Sequence, residues 1–482
     1  MTYLIQPKYD HDPIKYFQQL TQIPRGSGNE KGVSDYVVNF AKKHNLWWKQ
    51  DSENNVYIKK DGIGAGKNKP AILLQGHLDM VCEKNNETEF DFTTQPLDLY
   101  VEDGWLKARG TTLGADNGVA VAYMMSVLAE KWESCPPVEC LFTTGEETGM
   151  FGALAADTSV FSAQTMINMD CGGEGVFTVS CAGGRRTDVT KNVKREKVTA
   201  DVLKVTISGL KGGHSGSDIH LERGNANRLM ARFLYMLMEK QNVRMVSING
   251  GDKDNAIPRE CVCEIAVENV SAVEEIVKCT REMFSDELSA SDPDVTLDME
   301  QMQRDFVNAL TVEDTKSVVE MLLLLPCGPV HRNVKLNDLV ISSNNPAVVI
   351  ATDDSVNVKM STRSSIASLK QEISIQIELI ARIYDAECRH SSEYPGWAYE
   401  EKSNVRDVCS RVYEEMYGKA PKIEAIHAGL ECGLIKEKMP KLDVVAMGPT
   451  MENIHTPQER LNVMSFARTY EFLKQILITL TN

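Results

Sequence analysis

The stretch AILLQGHLDMV at 71–81 sets an imidazole and a carboxylate into an otherwise apolar run. Residues two apart in a strand share a face, so His77 and Asp79 look the same way. Such a pair is either a hydrogen-bonded couple inside a core or part of a metal or acid–base site. What recurs along the chain favours the second. VECLFTTG leads into Glu146 and Glu147, TMINM into Asp170, and LDVVAMGPTMENI into His455. Between the first two, TTLGADNG places Asp116 at the entry of an apolar helix. Ligands of open α/β sheets collect outside the carboxyl ends of the strands. These acids and two histidines are therefore expected at one edge. So many carboxylates brought together would repel one another and lose solvation, at a cost of several kcal/mol that a divalent cation would offset.

The residue types select the ion. Imidazole and carboxylate without an obvious thiolate suit zinc or a similar first-row ion in a catalytic site, with cobalt or manganese as alternatives. Two histidines with three or more carboxylates exceed the needs of one tetrahedral catalytic zinc. They fit two ions bridged by a carboxylate and a water, an arrangement that hydrolyses amides. Of the adjacent glutamates, one can ligate while the other acts as base. Asp79 is placed to fix the ring of His77 from behind.

The elements that must position these residues alternate. In SGNEKGVSDYVVNFAKKH, Ser27 and Glu30 have capping-box spacing, and Val33, Tyr36, Val37, Phe40 and Ala41 make one helical stripe. NVYIKK, AILLQGHLD, VECLFTT and TMINMD read as strands. NGVAVAYMMSVLAE is apolar nearly all round, as a helix buried on most sides would be. Strands alternating with helices predict an α/β sheet covered on both faces. From about 187 to 400 the strands alternate more strictly (VLKVTISG, ECVCEIAV, SVNVKMSTR). Amphipathic helices such as NANRLMARFLYMLMEK and SLKQEISIQIELIARIY lie between them. That texture predicts an inserted α+β domain with an antiparallel sheet, where Cys261 and Cys263 share a packed strand face. The α/β texture returns with LDVVAMG and a closing helix around SFARTYEFLKQILITL. The expected domains are 1–186 with 401–482, carrying the site, and 187–400, inserted.

Composition excludes several classes. The chain has 482 residues, 42% hydrophobic and 25% charged, with a formal net charge of −16. That balance suits a soluble globular protein and argues against nucleic acid and anionic membrane surfaces as partners. The start lacks a basic segment followed by an apolar one, and runs such as VVEMLLLLP are too short to span a bilayer. Twelve scattered cysteines read as reduced thiols of a cytoplasmic protein. His11, His44, His331 and His390 read as surface or packing histidines. His220 and His427 lie near glycine-rich motifs that could reach a substrate.

In this order, GHLDMV, GADNG, TTGEETGMFGA, INMD and NIHTPQER resemble the metallopeptidase family of dizinc exopeptidases and deacylases. It includes carboxypeptidase G-type enzymes, tripeptidase T and carnosine-splitting dipeptidases, and the likeness covers nearly the whole chain. It implies a zinc-exopeptidase-like mixed sheet flanked by helices, with the inserted domain as a lid. It implies that His77 and Asp170 hold one zinc, Glu147 and His455 the other, and Asp116 bridges them across a cis bond to Asn117. Glu146 would be the general base and Asp79 the clamp on His77. In the lid, His214 resembles the family's imidazole that steadies the carbonyl oxygen. Asn255 and Arg363 resemble its contacts to the substrate backbone and carboxylate.

KGGHSGSDIHLERGNA and HAGLECG resemble the family's Xaa-His dipeptidase branch. The sequence departs from many relatives in lacking a proline after the lid histidine, and in having Asp116-Asn117-Gly118 where they have Asp-Met-Lys-Gly. Both departures, and Asp rather than Glu at 170, fit the peptidase branch better than the deacylases. The expectation is a cytosolic dizinc dipeptidase that hydrolyses Xaa-His dipeptides, including β-alanyl-histidine, and other dipeptides, as a monomer or homodimer. An aminotripeptidase, an N-acyl amino acid deacylase and a catalytically silent relative are the alternatives.

Overall fold

Parallel strands covered on both faces are largely apolar, and four such segments form the centre of one sheet. Val138–Thr143, Ile72–His77, Thr165–Asn168 and Asp443–Ala446 lie side by side in that order, all parallel. Val56–Lys60 and then Trp47–Gln50 extend the sheet antiparallel on one side, and Val176–Cys181 and Lys422–Ile426 extend it on the other. The register sets His77 opposite Thr143 and Gln75 opposite Asn168, so the central strands finish level with one another. This computed structural model describes residues 3–304, 306–334 and 339–480.

The chain forms two units. One comprises Met1–Ser180, Tyr399–Ala425 and Leu430–Asn482, the other Cys181–Ala398 with Ile426–Gly429. In the first, the helix Ala115–Ala129 is buried almost all round, as its composition predicts. It lies so close to the strand Ile72–His77 that a Cβ on Gly76 would come within 2.3 Å of the Ala120 methyl, so a side chain there would force the two elements apart. Tyr123 stacks on Phe466 of the closing helix Val463–Thr479 with centroids 4.8 Å apart, and its hydroxyl donates to the Phe466 carbonyl at 2.7 Å. Lys60 donates to the Leu128 and Glu130 carbonyls at 2.9 and 2.6 Å, satisfying acceptors that the helix end leaves open.

The second helix differs from its expected start. Lys31–Lys43 buries Val33, Val37, Phe40 and Ala41, but Glu30 stands at its cap without a capping hydrogen bond. Ser27 donates instead to Asp79, and Glu30 accepts the Gly145 N–H at 3.1 Å. Both side chains of the apparent capping box are thus used to tie down distant loops, which sequence spacing does not reveal.

The second unit is α+β. Its sheet runs Thr296–Met302, Asp201–Ser208, Cys261–Val267, Val243–Gly250, Leu339–Ala351, Ser355–Ser364, Gly183–Asn192 and Ala386–Tyr394, antiparallel throughout. Helices Ala226–Met238, Val270–Glu287, Val312–Leu324 and Ala367–Ile383 share one core with it. Phe233, Phe284, Val318 and Ile377 are buried there beside Cys261 and Cys263. Among the described residues no helix is long and apolar enough to cross a membrane.

Removing one hydroxyl tests how the first unit is held together. Tyr123→Phe removes the side-chain donor from the Phe466 carbonyl, and should destabilise the protein by about 0.5–1.5 kcal/mol. The expected readout is a lower urea midpoint with unchanged metal binding.

Candidate metal centre

The ends of the parallel strands deliver the charged residues to one place. His77 closes its strand, Glu146 and Glu147 follow Val138–Thr143, Asp170 follows Thr165–Asn168, and Asp116 sits at the head of the buried helix. His455 comes from the loop before the closing helix with φ at +63°, in the left-handed region. His77 and Asp79 are buried, the other acids half-buried, and His455 is exposed. The Asp116–Asn117 peptide is cis.

Asp116 divides its oxygens. Oδ1 lies 3.2 Å from His77 Nε2, and Oδ2 lies 3.2 Å from His455 Nε2. His77 Nε2 is also 3.7 Å from Asp170 Oδ1, and His455 Nε2 is 3.1 Å from Glu147 Oε1. Two donor triads result, His77–Asp116–Asp170 and Asp116–Glu147–His455, each with its atoms within 4.8 Å of one another. A third triad joins His77, Glu146 and Glu147. Imidazole and carboxylate donors at this spacing could hold divalent ions.

Asp79 connects the strand to the glutamates. Its Oδ1 lies 3.3 Å from His77 Nδ1, without the geometry of a full hydrogen bond. The same carboxylate accepts the backbone N–H groups of Glu146 and Glu147 at 3.1 and 3.2 Å, and the Ser27 hydroxyl at 2.8 Å. One buried acid therefore faces the ring of His77 and fixes the turn that presents both glutamates.

Two residues that the sequence did not single out build the other wall. Glu459, four positions after His455, accepts the backbone N–H groups of Leu113, Gly114, Ala115 and Asp116 at 2.7–3.3 Å. A carboxylate on the open donors at a helix start is favoured by both hydrogen bonding and the helix dipole. Arg25 is buried and donates to the Leu78 and Asp79 carbonyls at 2.8 and 2.9 Å and to that of Gly114. The only sequence signal for either was proximity, Glu459 to His455 and Arg25 to the glycine-rich GSGNE.

The charges pull on one another. Burial opposes a charge on His77, but Asp170 and Asp116 raise it well above the ordinary imidazole range. Hydrogen bonds to Asp116 and Glu147 lift His455 to about 10. Burial would raise Asp116, yet its bonds to His455 and His77 bring it far below the usual carboxylate range. Glu146 is pushed well up, by burial first and then by the Asp170 and Glu431 carboxylates. A cluster that draws protons onto its imidazoles this strongly is one that a cation can occupy in their place.

The second unit holds its own cluster. Nδ1 of His214 accepts the N–H groups of Gly216 and Ser217 at 3.3 and 3.1 Å, which leaves the ring proton on Nε2. That nitrogen stands 3.5 Å from Nη2 of Arg363, two donors facing each other. Arg363 is 8% exposed, donates to the Tyr394 hydroxyl at 3.2 Å, and pairs with no carboxylate among the described residues. His427 is buried beside them, meets the Ser343 hydroxyl at 2.7 Å, and is pushed down to about 3 by burial and by Arg363. Asn255 is exposed, and its carbonyl accepts the Ser215 N–H at 2.8 Å. His11, His331 and His390 pair with Glu130, Ser342 and Glu378, away from both clusters.

Comparison with known proteins agrees with this chemistry. Residues 73–479 match the model of peptidase family M20/M25/M40. The chain is 35% identical over 478 residues to the cytosol non-specific dipeptidase of Escherichia coli, covering 98% of this chain and 97% of that one. The crystal structure of aminoacylhistidine dipeptidase from Vibrio alginolyticus superimposes with a TM-score of 0.93 at 33% identity, over 98% of this chain and 97% of that one. Aminopeptidase PepT from Bacillus cereus shares the fold at 15% identity, with a TM-score of 0.59 and 98% of both chains covered. The chain belongs to peptidase family M20/M25/M40 and is a peptide-bond hydrolase.

Glu459→Ala would strip the acceptor from four N–H groups at the head of the buried helix. Apo-protein stability should fall by about 1–3 kcal/mol. Affinity for zinc in equilibrium dialysis should fall roughly ten- to a hundredfold. Glu452→Ala, which only releases Arg460 nearby, should change neither.

Proposed function

Starting from membership of the M20/M25/M40 peptidases, we propose that the chain is a dipeptidase cleaving Xaa-His dipeptides, β-alanyl-histidine among them, and other dipeptides. The observation that carries this is Asp116, shared between two donor triads in a chain 35% identical to a dipeptidase. We assign His77 and Asp170 to one divalent ion, Glu147 and His455 to a second, and Asp116 to both. Zinc suits these donors, with cobalt or manganese as alternatives. Such ions, when bound, acidify a water and polarise the scissile carbonyl.

The remaining work falls to the chain. Glu146, its carboxyl raised by burial, takes the proton of the attacking water and passes it to the leaving amine. Asp79 keeps the glutamate turn and the His77 ring in place through the contacts already described. His214, with its proton on Nε2, donates to the carbonyl oxygen as negative charge develops there. Arg363, a buried guanidinium with no carboxylate partner among the described residues, receives the substrate's carboxylate, and Asn255 the substrate backbone. In this reading residues 1–186 and 401–482 are the catalytic domain, and 187–400 the domain that engages the peptide. The name of the Escherichia coli relative places that protein in the cytosol, and we place this chain there too.

The two glutamates separate in experiment. Glu146→Ala should keep its metal while losing at least about a hundredfold in turnover, the size of a general-base effect. Glu147→Ala should lose or weaken one ion. Reversed stoichiometries would exchange the two assignments.

A panel of dipeptides, tripeptides and N-acetyl amino acids, assayed with zinc, cobalt or manganese, tests the substrate. Free Xaa-His dipeptides should be cut fastest, and their amidated or N-acetylated forms far more slowly. Arg363→Ala should cost about 1.5–3 kcal/mol in kcat/KM on free dipeptides, the range of a hydrogen bond to a charged group. It should nearly erase the gap between free and amidated peptides. Faster turnover of N-acetyl amino acids than of any dipeptide would make the protein a deacylase.

A further inference from the structure

The central parallel strands are largely apolar, and one row of polar side chains crosses them. Gln75, Thr143 and Asn168 lie on three adjacent strands and are fully buried. Glu431, at the start of the helix Glu431–Lys438, is equally buried and meets Gln75 and Thr143. Buried polar groups are costly unless each finds a partner, and here the partners form a single directed chain. Gln75 Nε2 donates to Glu431 Oε2 and to Thr143 Oγ1, and the Thr143 hydroxyl donates to the same Glu431 oxygen at 2.6 Å. Asn168 Nδ2 donates to Gln75 Oε1 at 2.6 Å, and Asn168 Oδ1 accepts the backbone N–H of Asp170 at 3.0 Å.

An amide has a donor end and an acceptor end, whereas a carboxylate has only acceptors. Glu431 therefore decides which way Gln75 faces, Gln75 decides for Asn168, and Asn168 presents its oxygen to Asp170. Burial raises the Glu431 carboxyl to about 7. A proton taken up there would sit on Oε1, which has no hydrogen-bond partner, so Oε2 accepts in either state. At Asp170 the chain meets a second restraint, since Asn117 Nδ2 donates to Asp170 Oδ1 at 2.6 Å.

We infer that Glu431 is a positioning residue for the metal centre, holding Asp170 through Gln75 and Asn168 without touching any proposed ligand. The inference rests on the reading of Asp170 as a ligand. It differs from a packing role because it depends on the polarity of the chain, and polarity can be transferred. Gln75→Glu alone sets two carboxylates against each other. Combined with Glu431→Gln, it moves the acceptor one link along and leaves Asn168 facing Asp170 as before.

Zinc affinity by chelator competition and the visible spectrum of the cobalt-loaded protein are the readouts, with apo-protein melting as the control for folding. Glu431→Leu and Gln75→Glu should each lower zinc affinity roughly ten- to a hundredfold, as loss of a ligand's support does, and should alter the cobalt spectrum. The double variant Gln75→Glu/Glu431→Gln should recover both. If Glu431→Leu folds and binds zinc like the parent, or if the double variant is as weak as Gln75→Glu, the positioning role is wrong. Asp170→Ala separates the underlying reading. Loss of one ion keeps that reading, and retention of two removes it and the inference together.

Discussion

The divided carboxylate of Asp116, one oxygen on His77 and the other on His455, is the contact on which the rest of the site depends. A side chain this short can serve both imidazoles only if its backbone is held between them. The surroundings do this from three directions. Glu459 accepts the N–H groups leading into the helix, Arg25 holds the Gly114 carbonyl, and the tight approach of Gly76 to Ala120 fixes the helix against the sheet. Because Glu459 follows His455 by four residues, the loop bearing one imidazole also secures the acid that it meets.

Five carboxylates at one end of a sheet would by themselves destabilise it. The fold limits this by giving some of these acids hydrogen-bond donors. Asp79 takes two backbone N–H groups and a hydroxyl, and Asp170 takes the Asn117 amide. Donors to the charged form lower the cost of keeping an acid ionised. Asp79 is held at about 2 despite its burial, by the His77 imidazole first and then by the Ser27 hydroxyl and the Glu146 N–H. Glu146 lacks such support and is pushed up by burial. One environment thus produces an acid that stays charged as a brace and another that can exchange a proton.

The second unit shows the opposite imbalance. Arg363 and the Nε2 proton of His214 face each other at 3.5 Å, and the neighbouring His427 is kept neutral by burial and by the arginine. Two donors held this close favour an oxygen-bearing, negatively charged group between them.

Much of this was legible before folding. His77, Asp116, Glu146, Glu147, Asp170 and His455 stand out because each ends an apolar run or begins one, and strand ends in a parallel sheet fall at a common edge whatever lies between them. The α/β class and the buried helix follow from periodicity for the same reason, since both are local patterns. What the sequence did not disclose depends on partners far apart along the chain. Ser27 and Glu30 have the spacing of a helix cap, yet they bind Asp79 and Gly145. Arg25, Glu459 and Glu431 look like ordinary surface charges until tertiary structure buries them beside a backbone or an amide that needs them. Spacing along a chain encodes which face a side chain takes. Only the packing of distant segments decides which buried donor it must satisfy, and so which of many acids support a site and which merely meet water.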